Sequence, residues 1–388
     1  MACVDSCRHE ALTISLDPDG FFRVDKNEKK CVACGLCTQV CPVLNPIQID
    51  RLSSNLSRPF AAWCDNDELR KKSASGGAFA AISKAFLESG AVVYGAAIEK
   101  FRVVHKRVDS INDLPQLLGS KYQHSSMNGI HIQVKKDLMD GKTVLFSGLS
   151  CQVAAVIHFV GEKNARNLYT IDTICGGIST MLPMIRLKES NKYKGIISYR
   201  DKDNGWQAKG FKYALKMMLN DETIEDLGMN NMMLRCFCHK ETKRPSCLNC
   251  QFNGFHRESD LTIGDYWGET HFQQQHYNGV SVVIVHSKRI NSFLNASPLH
   301  MEPTLWAEVI RNNHSVYWTH CPEILKSYTR KQIFKFLRSG DEKKAQDWLG
   351  RKFLIGKLEM ALILRKNEKR RKLYFQTQYE NKSIDDMA

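Results

Sequence analysis

The sequence predicts an α+β protein: a small cysteine-rich module over 1–50, an α/β body over 60–145 and 146–300, and a basic helical tail over 301–388. Three observations predict it. Six of the 14 cysteines fall within the first 41 residues. From residue 60 onward, short apolar runs bounded by glycine alternate with segments of helical period, the pattern of strands joined by helices. The stretch from Lys326 to the end then carries 17 Lys and Arg against 8 Asp and Glu, which is +9 of the net +14.

The first element is the run KKCVACGLCTQVCPVLNP. Cys31, Cys34, Cys37 and Cys41, followed by Pro42, read CxxCxxCxxxCP, the spacing of a bacterial ferredoxin run for a 4Fe-4S cluster. Closely spaced thiolates suit a soft iron–sulfur core, and Gly35 lets the backbone wrap it; zinc sites usually show separated ligand pairs instead. In two-cluster ferredoxins the fourth cysteine of each run ligates the other cluster. Cys31, Cys34 and Cys37 therefore take Cys7, which completes one cluster, while Cys3 and Cys41 are half of a second. The opening MACVDSC reads as the end of a run whose front is missing. The spacing predicts that Met1 is an internal residue preceded by roughly ten or more others that include a CxxC; the competing account is genuine loss of one cluster. Arg8 stands where proline usually follows the fourth cysteine. Between the runs, ALTISLDPDGFFRVD alternates apolar and polar residues around Pro-Asp-Gly, as a hairpin should. The module is ferredoxin-like and lacks its front edge.

After a polar linker over 51–59 comes KKSASGGAFAAISKAFLESGAVVYGAAI. Ser73 or Ser75 caps a helix whose first turn contains Gly76 and Gly77, the apolar face runs through Phe79, Ile82 and Phe86, and Gly90 ends it before a strand. Free N–H groups at such a start can hold a phosphate, although Ser-Gly-Gly is also ordinary helix-start chemistry. Next, GKTVLFSGLSCQVAAVIHFV and LYTIDTICGG read strand, helix, strand. Cys151 opens the helix, and Cys175 ends the second strand ahead of Gly176 and Gly177. Open α/β sheets gather functional groups at the C-terminal ends of strands, and a helix N-terminus stabilises a thiolate; each cysteine also reads as a small buried hydrophobe.

The stretch RPSCLNCQFNGFHRESDLTIGDYWGE supplies Cys247 and Cys250, then an acidic loop with Asp260, Gly264, Asp265, Trp267 and Gly268. CxxC alone does not choose between zinc, a redox disulfide and iron–sulfur. Cys236, Cys238 and His239 could join it in a small zinc site. The fuller reading has Cys151, Cys175, Cys247 and Cys250 converge on a further 4Fe-4S cluster. Asp265 serves as a general acid or, at a Gly-flanked turn, as an Asx-turn residue.

Composition bounds the rest. At 388 residues and 43% hydrophobic content the chain buries a substantial core. It contains neither a long apolar span nor a basic-then-apolar leader, which predicts a cytoplasmic protein with reduced, metal-binding thiols. In the tail, LGRKFLIGKLEMALILRKNEKRRKL sets apolar residues beside a basic cluster: a helix packed on the body, or one lying on an anionic membrane surface as a peripheral contact. No paired carboxylates or Ser/His/Asp spacing argues for a hydrolase. A zinc-dependent nucleic-acid binder would use the charge but leaves the ferredoxin run unexplained, so no nucleic-acid partner is expected.

The ferredoxin-type run, SASGGAFAAISKAFLESGAVVYG, LLGSKYQHS, LFSGLSCQVAAV, DTICGG, and CLNCQF with SDLTIGDYWG occur in an order that resembles the coenzyme F420 hydrogenase/dehydrogenase beta-subunit family over about 1–295. The resemblance implies an iron–sulfur flavoprotein, in which a ferredoxin-like module is joined to an α/β flavin and iron–sulfur domain that binds FAD. Ser75, Gly76, Gly77, Gly119, Ser120, Lys121 and Tyr122 would then lie along the flavin, with Asp265 a further cofactor-side candidate. Gln123 and His124 before Ser125, the order Gly148, Leu149, Ser150, Cys151, and Gly176 between Cys175 and Gly177 depart from the family pattern, so the reaction can differ from that of the namesake. Relatives outside F420-making organisms often stand beside surface-polysaccharide genes, so F420 is not the expected substrate, which stays unknown. Clusters move single electrons and a flavin collects two. The two function classes are therefore a flavin-dependent oxidoreductase acting on a small molecule, and an electron-transfer subunit docking on a redox partner protein, a ferredoxin or an oxidoreductase subunit.

Overall fold

The structure is a computed structural model that describes residues 1–46, 57–200, 202, 205–206, 215–228, 231–255 and 257–379. Most of the expected linker over 51–59 lies outside the described residues.

The N-terminal segment is a hairpin between two short helices. Helix α1 (Ala2–Asp5) leads to β1 (Leu12–Leu16) and β2 (Phe22–Lys26), antiparallel with Leu16 opposite Phe22. The Pro-Asp-Gly turn forms as expected: Gly20 sits at φ +78°, and the Asp17 carboxylate accepts the N–H groups of Asp19 and Phe21, each at 2.9 Å. The cysteine loop closes on α2 (Leu36–Gln39), which packs on α1.

In the body, β3 (Arg58–Cys64) and α3 (Asp67–Lys72) precede α4 (Ala78–Glu88). The glycines expected inside the first turn of this helix stand before it. Ser75 at φ +50° and Gly77 at φ +82° are left-handed, so helical geometry cannot begin before Ala78. There follow β4 (Val92–Glu99), β5 (Arg102–Val108), α5 (Ile130–Met139), β6 (Val144–Leu149), α6 (Ser150–Val160) and β7 (Leu168–Thr173). Helix α7 (Leu182–Glu189) leads to a small antiparallel sheet of β8 (Tyr193–Ser198), β9 (Lys216–Leu219) and β10 (Ile224–Asp226), then to α8 (Met232–Cys238).

The acidic loop expected around Asp260 to Gly268 is instead entered by a strand, β11 (Leu261–Asp265), parallel to β7. Gly264 is there for space: Ile174 Cδ1 lies 2.6 Å from where a Cβ would stand. The chain continues through β12 (Ser281–Val285), α9 (Asn291–Ala296), β13 (Leu299–Pro303) and α10 (Trp306–Asn312) to α11 (Tyr328–Ser339), α12 (Glu342–Leu349) and α13 (Leu354–Tyr379).

Among the described residues, eight strands form one mixed sheet in the order β13-β3-β12-β11-β7-β6-β4-β5. The four central strands β11, β7, β6 and β4 are parallel, and their neighbours on both sides run antiparallel. They are apolar on both faces because both are covered. Val93, Leu145 and Ile171 pack under Ile82 and Phe86 of α4, while Val144, Phe146 and Leu168 face Val134, Val153 and Val156 of α5 and α6. Parallel alignment places the C-terminal ends of these strands along one edge. No helix among the described residues is long and apolar enough to cross a membrane.

Candidate cofactor cavity and cysteine site

Strand register sets the site. Leu149 is paired with Thr173 at the ends of β6 and β7, so Cys151 and Cys175 each stand two residues past a paired position. Cys247 arrives by another pairing, in which Ser179 bridges Lys243, Thr180 N–H donates to Thr242 C=O at 3.1 Å and Arg244 N–H to Ile178 C=O at 2.7 Å. The expected convergence of Cys151, Cys175, Cys247 and Cys250 is therefore present: Cys151 feels the charge of the other three, and Cys175 that of Cys247 and Cys250. Backbone N–H groups point at sulfur, Gly177 to Cys175 Sγ at 3.3 Å and Ile178 to Cys247 Sγ at 3.5 Å. Burial, then the neighbouring Cys247, pushes the Cys175 thiol up to about 11, and burial raises Cys151 as well. Such thiols stay protonated unless a metal takes the proton's place.

Two buried cations that sequence reading missed flank the quartet. Lys243 faces Cys175 and Cys247, with its ammonium on Ser179 Oγ at 3.1 Å. Arg257, 2% exposed, faces Cys250. Neither is distinguishable in the sequence from a surface cation.

A cavity of about 320 Å³ opens along the same strand ends, and Cys175, Gly176 and Gly177 form part of its wall. Of the residues expected along a cofactor, Ser75, Gly77, Gly119, Ser120, Lys121, Tyr122 and Asp265 line it. Gly76 does not; it is wedged against the sheet, where a Cβ would lie 2.4 Å from the Ala62 carbonyl oxygen. The first-turn N–H groups of Ala78, Phe79 and Ala80 make no hydrogen bond to the described residues, and all three line the cavity. Orphan donors at a helix start suit an anionic group. Lys121 donates to the Leu117 and Leu118 carbonyls, both at 2.7 Å, and burial pushes its pKa down to about 7. Asp265 is not an Asx-turn residue: it ends β11, and its carboxylate accepts from Arg200 Nη1 at 2.9 Å and Trp206 Nε1 at 2.9 Å.

In the N-terminal segment, Cys3 and Cys41 lie close enough for the charge of one to act on the other, as the crosswise reading expects. Cys31 and Cys34 lead into α2, with Gly35 at φ +74°, and Cys37 sits within it. Cys7 Sγ accepts the Ala11 N–H at 3.3 Å. The module touches the quartet: Gln251, beside Cys250, donates its amide to the carbonyl of Pro42, beside Cys41, at 3.1 Å. The zinc reading is not supported. Cys236 is fully buried in an apolar cluster with Phe334 and Trp348 while Cys238 is exposed, and among the described residues no three His, Cys, Asp or Glu side chains converge as ligands of a single ion. A four-iron cluster sits between its thiolates and needs them farther apart than one ion does.

Residues 1–45 match a 4Fe-4S dicluster domain, so the chain carries an iron–sulfur domain of the electron-transfer class. Residues 141–301 match the C terminus of the coenzyme F420 hydrogenase/dehydrogenase beta subunit. The two matches cover separate stretches of the chain, the N-terminal cysteine module and the middle of the body, and the second is a likeness to that beta-subunit family. A chain of the F420-reducing [NiFe] hydrogenase complex from Methanosarcina barkeri is similar in structure, with a TM-score of 0.44 and 14% identity over 78% of this chain and 93% of that one. No curated protein matches in sequence.

Proposed function

We propose that this chain is a cytoplasmic, flavin-dependent iron–sulfur oxidoreductase. The inner thiols Cys151, Cys175, Cys247 and Cys250 hold a 4Fe-4S cluster, FAD occupies the cavity, and a ferredoxin-type cluster on Cys7, Cys31, Cys34 and Cys37 connects them to a redox partner, with Cys3 and Cys41 half of a second site. The carrying observation is that Cys175 belongs to both the thiol quartet and the cavity wall. The orphan N–H groups of Ala78, Phe79 and Ala80 on the cavity wall would hold the FAD diphosphate. Bound there, a flavin collects electrons that clusters deliver singly and passes two to a small-molecule substrate. The chain's own part is spacing and exclusion of water.

The Cys41–Pro42 to Gln251–Cys250 contact is the proposed crossing point between module and body. The partner docks on the module, where Val32, Val43, Leu44 and Cys34 stand exposed. Family resemblance alone supports a substrate in surface-polysaccharide metabolism rather than F420. A second reading, a relay subunit without its own substrate pocket, is favoured by the cavity volume of about 320 Å³, near the low end for ligand sites and so with little room for a second molecule. Anaerobic purification followed by iron, zinc and flavin analysis separates the readings: iron with flavin supports the enzyme, iron alone the relay, and zinc alone overturns both.

A further inference from the structure

Arg257 is buried behind the quartet, and its guanidinium reaches three of the segments that carry the cysteines. Nη1 donates to Ser150 Oγ at 2.6 Å, next to Cys151, and to the Phe252 carbonyl at 3.2 Å, two residues past Cys250. It also lies 3.4 Å from Asp172 Oδ2, on the strand that delivers Cys175. Nη2 donates to Asn253 Oδ1 at 3.2 Å and the Val316 carbonyl at 2.6 Å, and Asn253 Nδ2 in turn reaches the Cys175 carbonyl at 3.4 Å. Arg257 and Asp172 are 2% and 1% exposed, so their charges act with little screening by water.

We propose that Arg257 is a positioning residue that clamps the inner cysteine segments and whose fixed positive charge raises the reduction potential of the inner cluster, with Asp172 opposing it. The proposal rests on the inner-cluster reading above. Reduction adds one electron and no proton to an already anionic thiolate-ligated cluster, so a nearby buried cation stabilises the reduced state more than the oxidised one, and a buried anion does the reverse. A lysine keeps the charge but cannot reach all the acceptors with one ammonium group.

The test is an anaerobic redox titration followed by electron paramagnetic resonance on the full chain reconstituted with iron and sulfide, at about pH 6. There Glu258, whose carboxyl burial and then Asp172 push up to about 7, stays largely protonated. Arg257→Gln should shift the inner midpoint to more negative potential, Arg257→Lys should leave it near wild type with a broader signal, and Asp172→Asn should shift it to more positive potential. The N-terminal signals should not move in any of them. Midpoints of Arg257→Gln and Asp172→Asn that move together, or not at all, overturn the proposal. If Arg257→Gln cannot hold inner iron, Asp172→Asn still reads the charge effect, and an unmoved midpoint there overturns it. The underlying reading fails separately: if Cys247→Ser and wild type bind the same iron per chain, there is no inner cluster to tune.

Discussion

His124 shows how one side chain can serve a seam while its neighbours face the chemistry. Gln123 and Ser125 line the cavity, whereas His124 lies outside it, buried, with its ring 5.3 Å from Phe22 of the N-terminal hairpin. Sequence comparison marks position 124 as a departure on the active face; only the fold shows that it faces the module. Burial, followed by the Arg244 charge, pushes its pKa down to about 3, and burial holds His105 down to about 4. A base with a depressed folded pKa is neutral in the fold while the unfolded chain takes up protons below about 6.5. Its environment therefore costs nothing above that pH and lowers stability as pH falls toward the folded pKa. His124→Gln should flatten the loss of thermal stability between about pH 6.5 and 4, by on the order of 3 kcal/mol, and an unchanged acid limb would refute the buried neutral state. At the same scale, Cys247→Ser should lower bound iron by about four atoms per chain and leave iron bound by the N-terminal module unchanged.

At the scale of elements, the hairpin, β4, β6 with α6, and β7 were legible because glycine and turn residues bound clear apolar periods. Strand β11 was not, because Asp260, Gly264 and Asp265 read as a loop: the glycine gives room to Ile174, and the Asp260 carboxylate is taken up by Arg289 and the Thr170 N–H, partners 29 and 90 residues away. The start of α4 was misplaced for a similar reason, since left-handed Ser75 leaves no mark in the sequence. At Gly77 a Cβ would meet Cys64 Cβ at 3.2 Å and Arg70 Cα at 3.3 Å in a left-handed backbone. Gly77→Ala should cost about 1–2 kcal/mol and weaken flavin retention together with stability; normal flavin content would argue against the helix start as the diphosphate site.

Helix α13 meets the first expectation for the tail, a helix packed on the body. It packs on the body through fully buried Met360 and through Glu359, which accepts from Thr329 Oγ1 at 2.6 Å, while Leu354, Leu358 and Leu362 stand 71%, 57% and 69% exposed on one face. We propose that this face, with the basic residues from Arg365 to Lys372, rests on an anionic bilayer. Leu358→Ser with Leu362→Ser should weaken flotation with phosphatidylserine vesicles by about tenfold or more; wild-type protein that ignores such vesicles at low salt rules the contact out.

For the whole molecule, electron transfer between module and body requires that the two hold one position. One polar fastener of the seam is buried. Asp5 in α1 accepts the Gly129 N–H at 2.9 Å and the His131 Nδ1–H at 2.7 Å, with the Asp5 and His131 side chains 3% and 1% exposed. Thr180 Oγ1 donates to the Asp19 carbonyl at 2.5 Å and Gln251 Nε2 to that of Pro42 at 3.1 Å, single bonds that a shift of the hairpin would break one at a time. Replacing Asp5 by alanine leaves two buried donors unpaired, a loss of about 3 kcal/mol confined to the seam. Because β6 and β7 are held by their own sheet partners, the cost should appear as local opening of the module. Hydrogen–deuterium exchange should therefore rise in peptides from residues 1–46 and 129–139 of Asp5→Ala while peptides of β6 and β7 stay protected, and reduction of the inner cluster by an electron donor should slow although its midpoint is unchanged. Uniformly raised exchange would mean that Asp5 supports the whole fold, and unchanged exchange with an unchanged rate would mean that the seam does not depend on it.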